Sequence, residues 1–203
     1  IGQINDRTQK ADGDFVWALQ DINLKIDEGE VVGIIGSNGA GKSTLLNIIA
    51  GKESYDEGSV TFRNGIKVGI LPQDPKFDAG KTVLDICVES GHEIAMKQML
   101  GKLKISNMDL RTEVMSGGQG KRVALAQVLV SQPELLILDE PTNHLDLDMV
   151  EWLEDYLRKS RLALLMVTHD RYFLDRVCSD ILEIDQQQIY SYKGNYSYHL
   201  QKK

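Results

Sequence analysis

One stretch near the start of the chain restricts its fold more than any other, an apolar segment that runs directly into a glycine-rich loop. Residues 31–35 are apolar or glycine throughout, which is typical of a strand buried on both faces of a parallel sheet. The loop over residues 36–44 follows, and the apolar residues of 45–49 then recur at helical spacing. The sequence therefore predicts a strand, a tight loop and a helix in succession, the basic unit of an α/β fold.

The loop matches the pattern G-x-x-x-x-G-K-[ST] in full, in the strand-to-helix context that this pattern requires. Glycines at positions 36, 39 and 41 allow backbone N–H groups to turn inward around phosphate oxygens, and the helix N-terminus adds its positive end. Lys42 is expected to reach the β and γ phosphates, and Ser43 to bind Mg²⁺. The predicted nucleotide contacts in this loop are Ser37, Asn38, Gly39, Ala40, Gly41, Lys42, Ser43 and Thr44.

Two acidic residues follow a second apolar segment. Residues 135–138 are apolar, and Asp139 and Glu140 come directly after them, where a buried strand is predicted to end. One carboxylate in such a place can order Mg²⁺ while the other polarises a water nucleophile, a division that phosphoryl transfer from ATP requires. The sequence therefore predicts an acid pair with separate roles at one end of the sheet.

Strand and helix patterns alternate along most of the chain. Beyond the segments above, the sequence predicts strands over 15–26 and 164–167. It also predicts a mostly helical middle over 82–103 and a helix between the strands at 135–138 and 164–167. Two hairpins are predicted, one of 60–62 with 66–70 around Asn64 and Gly65, and one of 181–184 with 189–192. Such alternation predicts a parallel sheet with crossover helices.

Size, charge and cysteine usage limit the classes of function. A chain of 203 residues fits one domain over 1–203, and its longest apolar runs are far too short to insert into a membrane. The net charge of −7 argues against autonomous binding to nucleic acid. The cysteines, Cys87 and Cys178, stand far apart with no metal-ligand spacing, which predicts free buried thiols in a reducing, cytoplasmic setting.

Three further features occur in an informative order. Gln73 lies between the phosphate loop and the acid pair. The cluster Ser116, Gly117, Gly118 and Gln119 follows it and precedes an apolar helical run. His169 follows the predicted strand at 164–167. Alone, a Ser-Gly-Gly loop is a common connection, although it can also hold phosphate at a helix start. Its place between the phosphate loop and the acid pair gives it functional meaning.

In this order of motifs the chain resembles the ATP-binding cassette (ABC) superfamily over nearly its whole length. The segments 139–146, 168–175 and 192–197 look like the ABC-F subfamily, and most like its Uup-like branch. The resemblance implies an α/β P-loop NTPase fold, an ABC-type nucleotide-binding domain with a parallel core sheet, an N-terminal antiparallel β subdomain and a shortened helical subdomain at about 76–130.

The same resemblance assigns the roles at the site. Asp139 would hold Mg²⁺ through water, Glu140 would be the general base, and His169 would sense the γ-phosphate. Gln73 would complete the metal shell or position the water. Ser116, Gly117, Gly118 and Gln119, the signature motif, would contact ATP held by an opposite cassette, with communication across the pair through Leu145 and Asp146.

Partners are also implied by resemblance. ABC-F proteins are soluble ATPases that usually have two cassettes in one chain and act on the ribosome, so a second cassette, self or tandem, and the ribosome are the expected partners, with ATP and Mg²⁺ as cofactors. A linker is expected to start within 196–203. An isolated cassette should hydrolyse ATP weakly and act as a clamp that closes around the nucleotide.

Two alternatives stay open at this point. Residues 17–51 resemble transporter cassettes, especially those of polysaccharide exporters, as much as ABC-F members, so the chain could instead energise a membrane transporter. For the adenine base, the resemblance suggests stacking on Trp17, with Phe15 as the other candidate. Either aromatic ring could equally belong to the core of the first strand.

Overall fold

The structure, a computed structural model, describes residues 2–9, 15–186 and 188–202, with side chains described from Ile22 onward within these ranges. The strands, in chain order, are β1 Gly2–Gln9, β2 Phe15–Leu24, β3 Val31–Gly36, β4 Glu57–Gly58, β5 Val68–Leu71, β6 Leu135–Asp139, β7 Ala163–Val167, β8 Asp180–Asp185 and β9 Gln188–Lys193. The helices are α1 Lys42–Ile49, α2 Val83–Glu89, α3 Glu93–Lys102, α4 Gly117–Val130, α5 Leu147–Lys159, α6 Arg171–Val177 and α7 Tyr196–Lys202, with a 3₁₀ turn at Thr112–Val114.

The described residues form two sheets. A six-stranded sheet has the order β5-β6-β7-β3-β8-β9, parallel except for β9, which returns antiparallel to β8. A small antiparallel sheet has the order β2-β1-β4. The predicted α/β class with a parallel core and an N-terminal antiparallel sheet is confirmed.

The parallel core is apolar on both faces, as its continuous apolar runs predict. Leu136 and Leu138 of β6 pack on the side of α4 and α5. Ile137, between them, belongs to a second core on the side of α1. The sheet therefore separates two packed layers, and the carboxyl ends of β3, β5, β6 and β7 lie at one edge, where loops can form a site.

The predicted hairpin of residues 60–62 and 66–70 is wrong. Its turn is present, since the Ile66 N–H donates to the Arg63 carbonyl at 3.2 Å and Gly65 has φ 77°. However, residues 60–62 are not in a strand, and Val68–Leu71 pairs in parallel with β6 instead. Pairing with β6 buries Leu71 completely in the core, a gain that an isolated hairpin could not provide.

The other predicted elements agree with the structure within a few residues, including the hairpin of β8 and β9 and the mostly helical middle segment. The middle segment consists of two helices, α2 and α3, which are separated at Gly91, where φ is 71°. Both cysteines are free and buried, as predicted, and burial raises the pKa of the Cys178 thiol to about 12. In the part of the chain that is described, no helix has both the length and the apolar character needed to cross a membrane.

The predicted domain limits stay predictions. Helices α2, α3 and α4 fall inside the expected helical subdomain of 76–130. The last residues, expected to begin a linker, form α7, where His199 is buried. The ring of His199 lies 4.6 Å from that of Tyr192, edge to face, whereas Tyr190 and Tyr198 are exposed.

Gly120 gives a first testable prediction. It lies inside α4, where glycine costs about 1 kcal/mol relative to alanine, and an added Cβ would meet only Phe77 Cε2 at 3.5 Å, an ordinary contact. We expect Gly120→Ala to raise the free energy of unfolding by about 0.5–1 kcal/mol in urea titrations. Gly101→Ala on α3, where an added Cβ meets nothing within 4 Å, is the control for helix propensity alone. A loss of stability in Gly120→Ala only would contradict this account.

Candidate active site

The phosphate loop connects β3 to α1 and lies close against the neighbouring strand β8. Gly36, at the end of β3, has φ 153°, and a Cβ there would lie 2.5 Å from the carbonyl oxygen of Ile184. Any side chain at this position would overlap that backbone atom, so only glycine allows the loop to leave the sheet here. The first glycine of the motif is therefore required by packing as well as by phosphate chemistry.

Lys42, the first residue of α1, folds back over this loop. Its Nζ donates to the carbonyl oxygens of Gly36 and Ser37, each at 2.8 Å. Burial lowers the pKa of Lys42, and the carboxylates of Glu140 and Asp139 oppose that shift. The ammonium group is thus held at the loop, facing a carboxylate pair.

A cavity of about 460 Å³ opens above the loop and collects most of the predicted site residues. Its lining consists of Asn38, Gly39, Gly41, Lys42, Ser43, Thr44, Gln73, Asp139, Glu140, Asn143, Val167 and His169. Six of the eight predicted loop residues line the cavity; Ser37 and Ala40 belong to the same loop but do not line it. Asn143 was not predicted as a site residue, although it follows the acid pair by only three positions.

Asp139, the last residue of β6, has a buried oxygen available for a ligand. Among the described residues, its Oδ1 has no hydrogen-bond partner. Burial and, next, the charge of Glu140 raise the pKa of Asp139. Ser43 and Gln73 line the same cavity, so three residues whose side chains carry oxygen atoms of the kind that Mg²⁺ prefers line it together. These residues fit the predicted magnesium ion.

Glu140, which lines the cavity, has a strained backbone conformation. Its φ is 46°, its N–H donates to the Val167 carbonyl at 2.8 Å, and it is only 6% exposed. Its Oε2 accepts the backbone N–H of His169 at 3.3 Å, and its Oε1 lies 3.5 Å from the His169 Nε2. Since β6 and β7 are adjacent and parallel, the acid and the imidazole follow neighbouring strand ends and face one space.

The signature motif does not join this cavity. Ser116 caps α4, where its Oγ accepts the Gln119 N–H at 3.2 Å and its own N–H donates to Gln119 Oε1 at 2.8 Å. Ser116 and Gly117 instead line a separate cavity of about 160 Å³ that also includes Gln73. The predicted role of residues 116–119 toward an opposite cassette stays a prediction, as do the roles of the other site residues.

Lys121 is a functional candidate that sequence reasoning missed. It is 1% exposed, and its Nζ donates to the carbonyls of Pro72 at 2.9 Å, Gln73 at 2.8 Å and Asp139 at 3.0 Å. Burial lowers its pKa to about 8, opposed chiefly by the charge of Asp139. The only sequence signal was a lysine in an apolar helical run, which local pattern could not distinguish from a surface lysine.

His144, in the loop after Glu140, lies against the signature motif. An added Cβ on Gly118 would lie 2.5 Å from the His144 carbonyl oxygen, whereas one on Gly117 would meet the His144 ring at 3.6 Å, an ordinary contact. The loop after Glu140 is therefore packed directly against the start of α4. Close backbone approach explains why glycine stands at position 118.

We expect Gly118→Ala to lower the free energy of unfolding by about 1–3 kcal/mol, because backbone at His144 must move to admit the methyl group. Gly117→Ala is the matched control and should change stability by less than about 0.5 kcal/mol. Urea unfolding of both variants measures the difference. Equal stability of the two variants would contradict the close packing of His144.

The aromatic candidates for adenine, Trp17 and Phe15, lie on β2 by their backbone. Their side chains are outside the described part of the structure. Stacking of adenine on Trp17 therefore stays a prediction.

Comparison with known proteins identifies a matching family and several relatives. Residues 19–143 match the family described as ABC transporter. The chain is 39% identical to an uncharacterized ABC transporter ATP-binding protein, YfmR of Bacillus subtilis, over 90% of this chain and 36% of the relative. It is 37% identical to the energy-dependent translational throttle protein EttA of Mycobacterium tuberculosis, over 97% of this chain and 43% of that protein. The chain thus spans about two fifths of the length of these relatives.

Solved structures share the fold. One described as the ATP binding subunit of an ABC transporter has a TM-score of 0.83 at 20% identity, covering 95% of this chain and 90% of that one. A dimeric, post-hydrolysis state of the ATP-binding cassette MJ0796, bound to ADP and Pi, has a TM-score of 0.80 at 22% identity, covering 95% and 98%. From the match over residues 19–143, together with this fold, the chain belongs to the ATP-binding cassette (ABC) family.

Proposed function

We propose that this domain binds ATP with Mg²⁺ and hydrolyses it to ADP and phosphate, and that it does so as half of a cassette pair. One observation carries the proposal: a single cavity collects the phosphate loop, the acid pair at the end of β6 and the histidine beyond β7. These are the groups that phosphoryl transfer to water requires.

The chain's own residues divide the work in this proposal. Backbone N–H groups of the phosphate loop and the Lys42 ammonium hold the phosphates, whose negative charge the helix N-terminus also favours. When bound, Mg²⁺ would offset charge on the β and γ phosphates. Ser43, Gln73 and Asp139 supply the oxygens to hold it.

Glu140 is the proposed general base. It is buried at the cavity wall, and its carboxylate accepts a proton from the attacking water as the bond to the γ-phosphate forms. His169, whose side chain is 63% exposed beside it, is free to contact a γ-phosphate oxygen while its backbone N–H orients the carboxylate. The strained φ of Glu140 holds the acid toward the phosphates.

A second cassette is the proposed partner, because the signature motif lies outside this chain's own nucleotide cavity. The solved cassette MJ0796 is described as dimeric, which supports the same arrangement here. Clamp closure would then depend on ATP, which stabilises the closed pair by mass action.

The finer role that we propose is translation, with action on the ribosome in the cytoplasm. Support comes from the relative named as a translational throttle protein and from the ABC-F-like segments at 139–146, 168–175 and 192–197. Since the chain spans only part of such relatives, a tandem cassette is part of this proposal. The acidic net charge means that ribosome contact would not arise from a general affinity for nucleic acid.

Sedimentation with ribosomes tests this role. The chain with Glu140→Gln, which is expected to hold ATP without hydrolysing it, is centrifuged with ribosomes in ATP or in ADP. We expect more of the chain in the ribosome pellet with ATP, and no such increase when Lys42→Ala is added. Equal amounts with the two nucleotides would contradict the ribosome proposal.

The alternative is the energising subunit of a membrane transporter. The relative YfmR, by its name, and a solved transporter subunit favour this second candidate. It predicts ATP-dependent pairing of the cassette without ribosome pelleting, and a membrane-bound partner docked near Gln73. Chemical crosslinking from an engineered cysteine at Lys76, an exposed position three residues after Gln73, would capture that partner.

A further inference from the structure

Lys121 occupies an unusual place for a lysine, under the floor of the nucleotide cavity. Lysine side chains are almost never fully buried unless they are paired, yet this one is 1% exposed. An ammonium group has three N–H donors, and here three carbonyl oxygens accept them, those of Pro72, Gln73 and Asp139, at 2.8 to 3.0 Å. Its hydrogen-bonding capacity is therefore completely used by backbone.

The three carbonyls belong to two different strand ends. Pro72 and Gln73 directly follow β5, and Asp139 ends β6. These strands are parallel neighbours, with Leu71 paired to Leu138, so one ammonium group bridges their carboxyl ends. Gln73 and Asp139 both line the nucleotide cavity, which Lys121 does not line. Lys121 thus joins the backbones of two predicted magnesium-binding residues.

Lys121 also connects this pair to the signature motif. It lies on α4, five residues after the capping Ser116 and one turn beyond Gly118, which packs on His144. A shift of α4 would therefore move the ammonium group relative to both strand ends. The helix start that would serve an opposite nucleotide and the floor of this chain's own site are joined through one side chain.

We propose that Lys121 is a positioning residue. It holds Gln73 and Asp139 in the relative positions that Mg²⁺ binding needs, and it couples them to helix α4, which begins with the signature motif. The inference deepens the proposed function and rests on it for its nucleotide part. Its structural part, the bridge between the ends of β5 and β6, stands on the hydrogen bonds alone.

The test compares Lys121→Met, which keeps the aliphatic chain and removes the donors, with Lys102→Met, which removes an exposed lysine from α3. ATP affinity of each protein is measured by calorimetry with Mg²⁺ and with EDTA. We expect Lys121→Met to keep the wild-type ATP affinity in EDTA, because the phosphate loop is intact. The factor by which Mg²⁺ increases the ATP affinity should be at least about tenfold smaller in Lys121→Met than in the wild type. Lys102→Met should match wild type in both conditions.

Hydrogen exchange provides a readout that needs no nucleotide. In Lys121→Met, amides in 70–75 and 138–143 should exchange at least about tenfold faster, while those of 31–45 keep wild-type rates. Lys121→Gln, which restores two N–H donors, should recover part of both effects and serves in place of the methionine variant if that protein does not fold. A folded variant with wild-type hydrogen exchange and wild-type Mg²⁺ dependence of ATP affinity would overturn the positioning role of Lys121. A uniform rise in exchange with an unchanged Mg²⁺ dependence of ATP affinity would also overturn it.

The proposed ATPase function and the positioning role of Lys121 can be contradicted by different results. Absence of ATP binding by the wild-type chain would contradict the proposed function, while local exchange in Lys121→Met would still decide whether the bridge exists. Normal wild-type binding with no effect of Lys121→Met or Lys121→Gln on Mg²⁺ dependence would contradict only the positioning role.

Discussion

Replacing Glu140 with glutamine is expected to leave ATP binding near the wild-type level and to slow hydrolysis at least about 100-fold. The amide cannot accept the proton of the attacking water, whereas the phosphate loop, Lys42 and Asp139 are unchanged. Its oxygen can still accept the His169 N–H, so the local structure should persist. Nucleotide affinity by calorimetry and phosphate release, at concentrations where cassettes can pair, measure the two effects separately.

Glu151→Gln is the matched control, since this glutamate is exposed on α5 and away from the cavity. It should hydrolyse ATP at the wild-type rate. Hydrolysis at the wild-type rate by Glu140→Gln would remove the assignment of Glu140 as general base.

Lys42→Ala is expected to fail one step earlier, at binding. Removal of the ammonium leaves phosphate charge without its main partner, a loss of at least about 2 kcal/mol, or roughly 30-fold in affinity. The carbonyls of Gly36 and Ser37 also lose their donor, so the loop itself should become less ordered. Calorimetry with ATP measures the affinity, and hydrogen exchange over 36–42 measures the order of the loop.

Lys159→Ala removes an exposed lysine from α5 and should bind ATP as wild type does. Tight binding by Lys42→Ala would mean that the cavity above the loop is not the nucleotide site. The contrast with Glu140→Gln is informative, because one variant should lose binding and the other only turnover.

The predictable part of the site consists of short segments whose chemistry is local. The loop from Gly36 to Thr44 lies between β3 and α1 and the acid pair lies at the end of β6, as predicted, because glycine spacing and an apolar run ending in carboxylates constrain the backbone of those residues directly. His169 was singled out by its place in the order of motifs, and it lies two residues beyond β7. The parallel sheet makes these separate strand ends meet, and that consequence follows from topology rules.

Long-range packing explains the elements and contacts that the sequence predicted wrongly or did not predict. Asn64 and Gly65 predicted a hairpin, and the turn forms, yet Val68–Leu71 pairs with β6 because that partner buries Leu71. Lys121 was overlooked because its three acceptors are 18 to 49 residues away in sequence. The close approach of His144 to Gly118 could not be predicted either, because the two residues lie in different segments, 26 positions apart in the chain.

The sequence by itself therefore determined the strand, loop and helix of the phosphate site, the acid pair and the α/β class, since each depends on residues that are neighbours in the chain. Only the tertiary structure decided the strand order β5-β6-β7-β3-β8-β9, the separation of the signature motif from this chain's own cavity, and the burial of Lys121 beneath Gln73 and Asp139. The physical reason is that burial and carbonyl pairing are decided by which distant surfaces meet, and short-range patterns do not encode that choice.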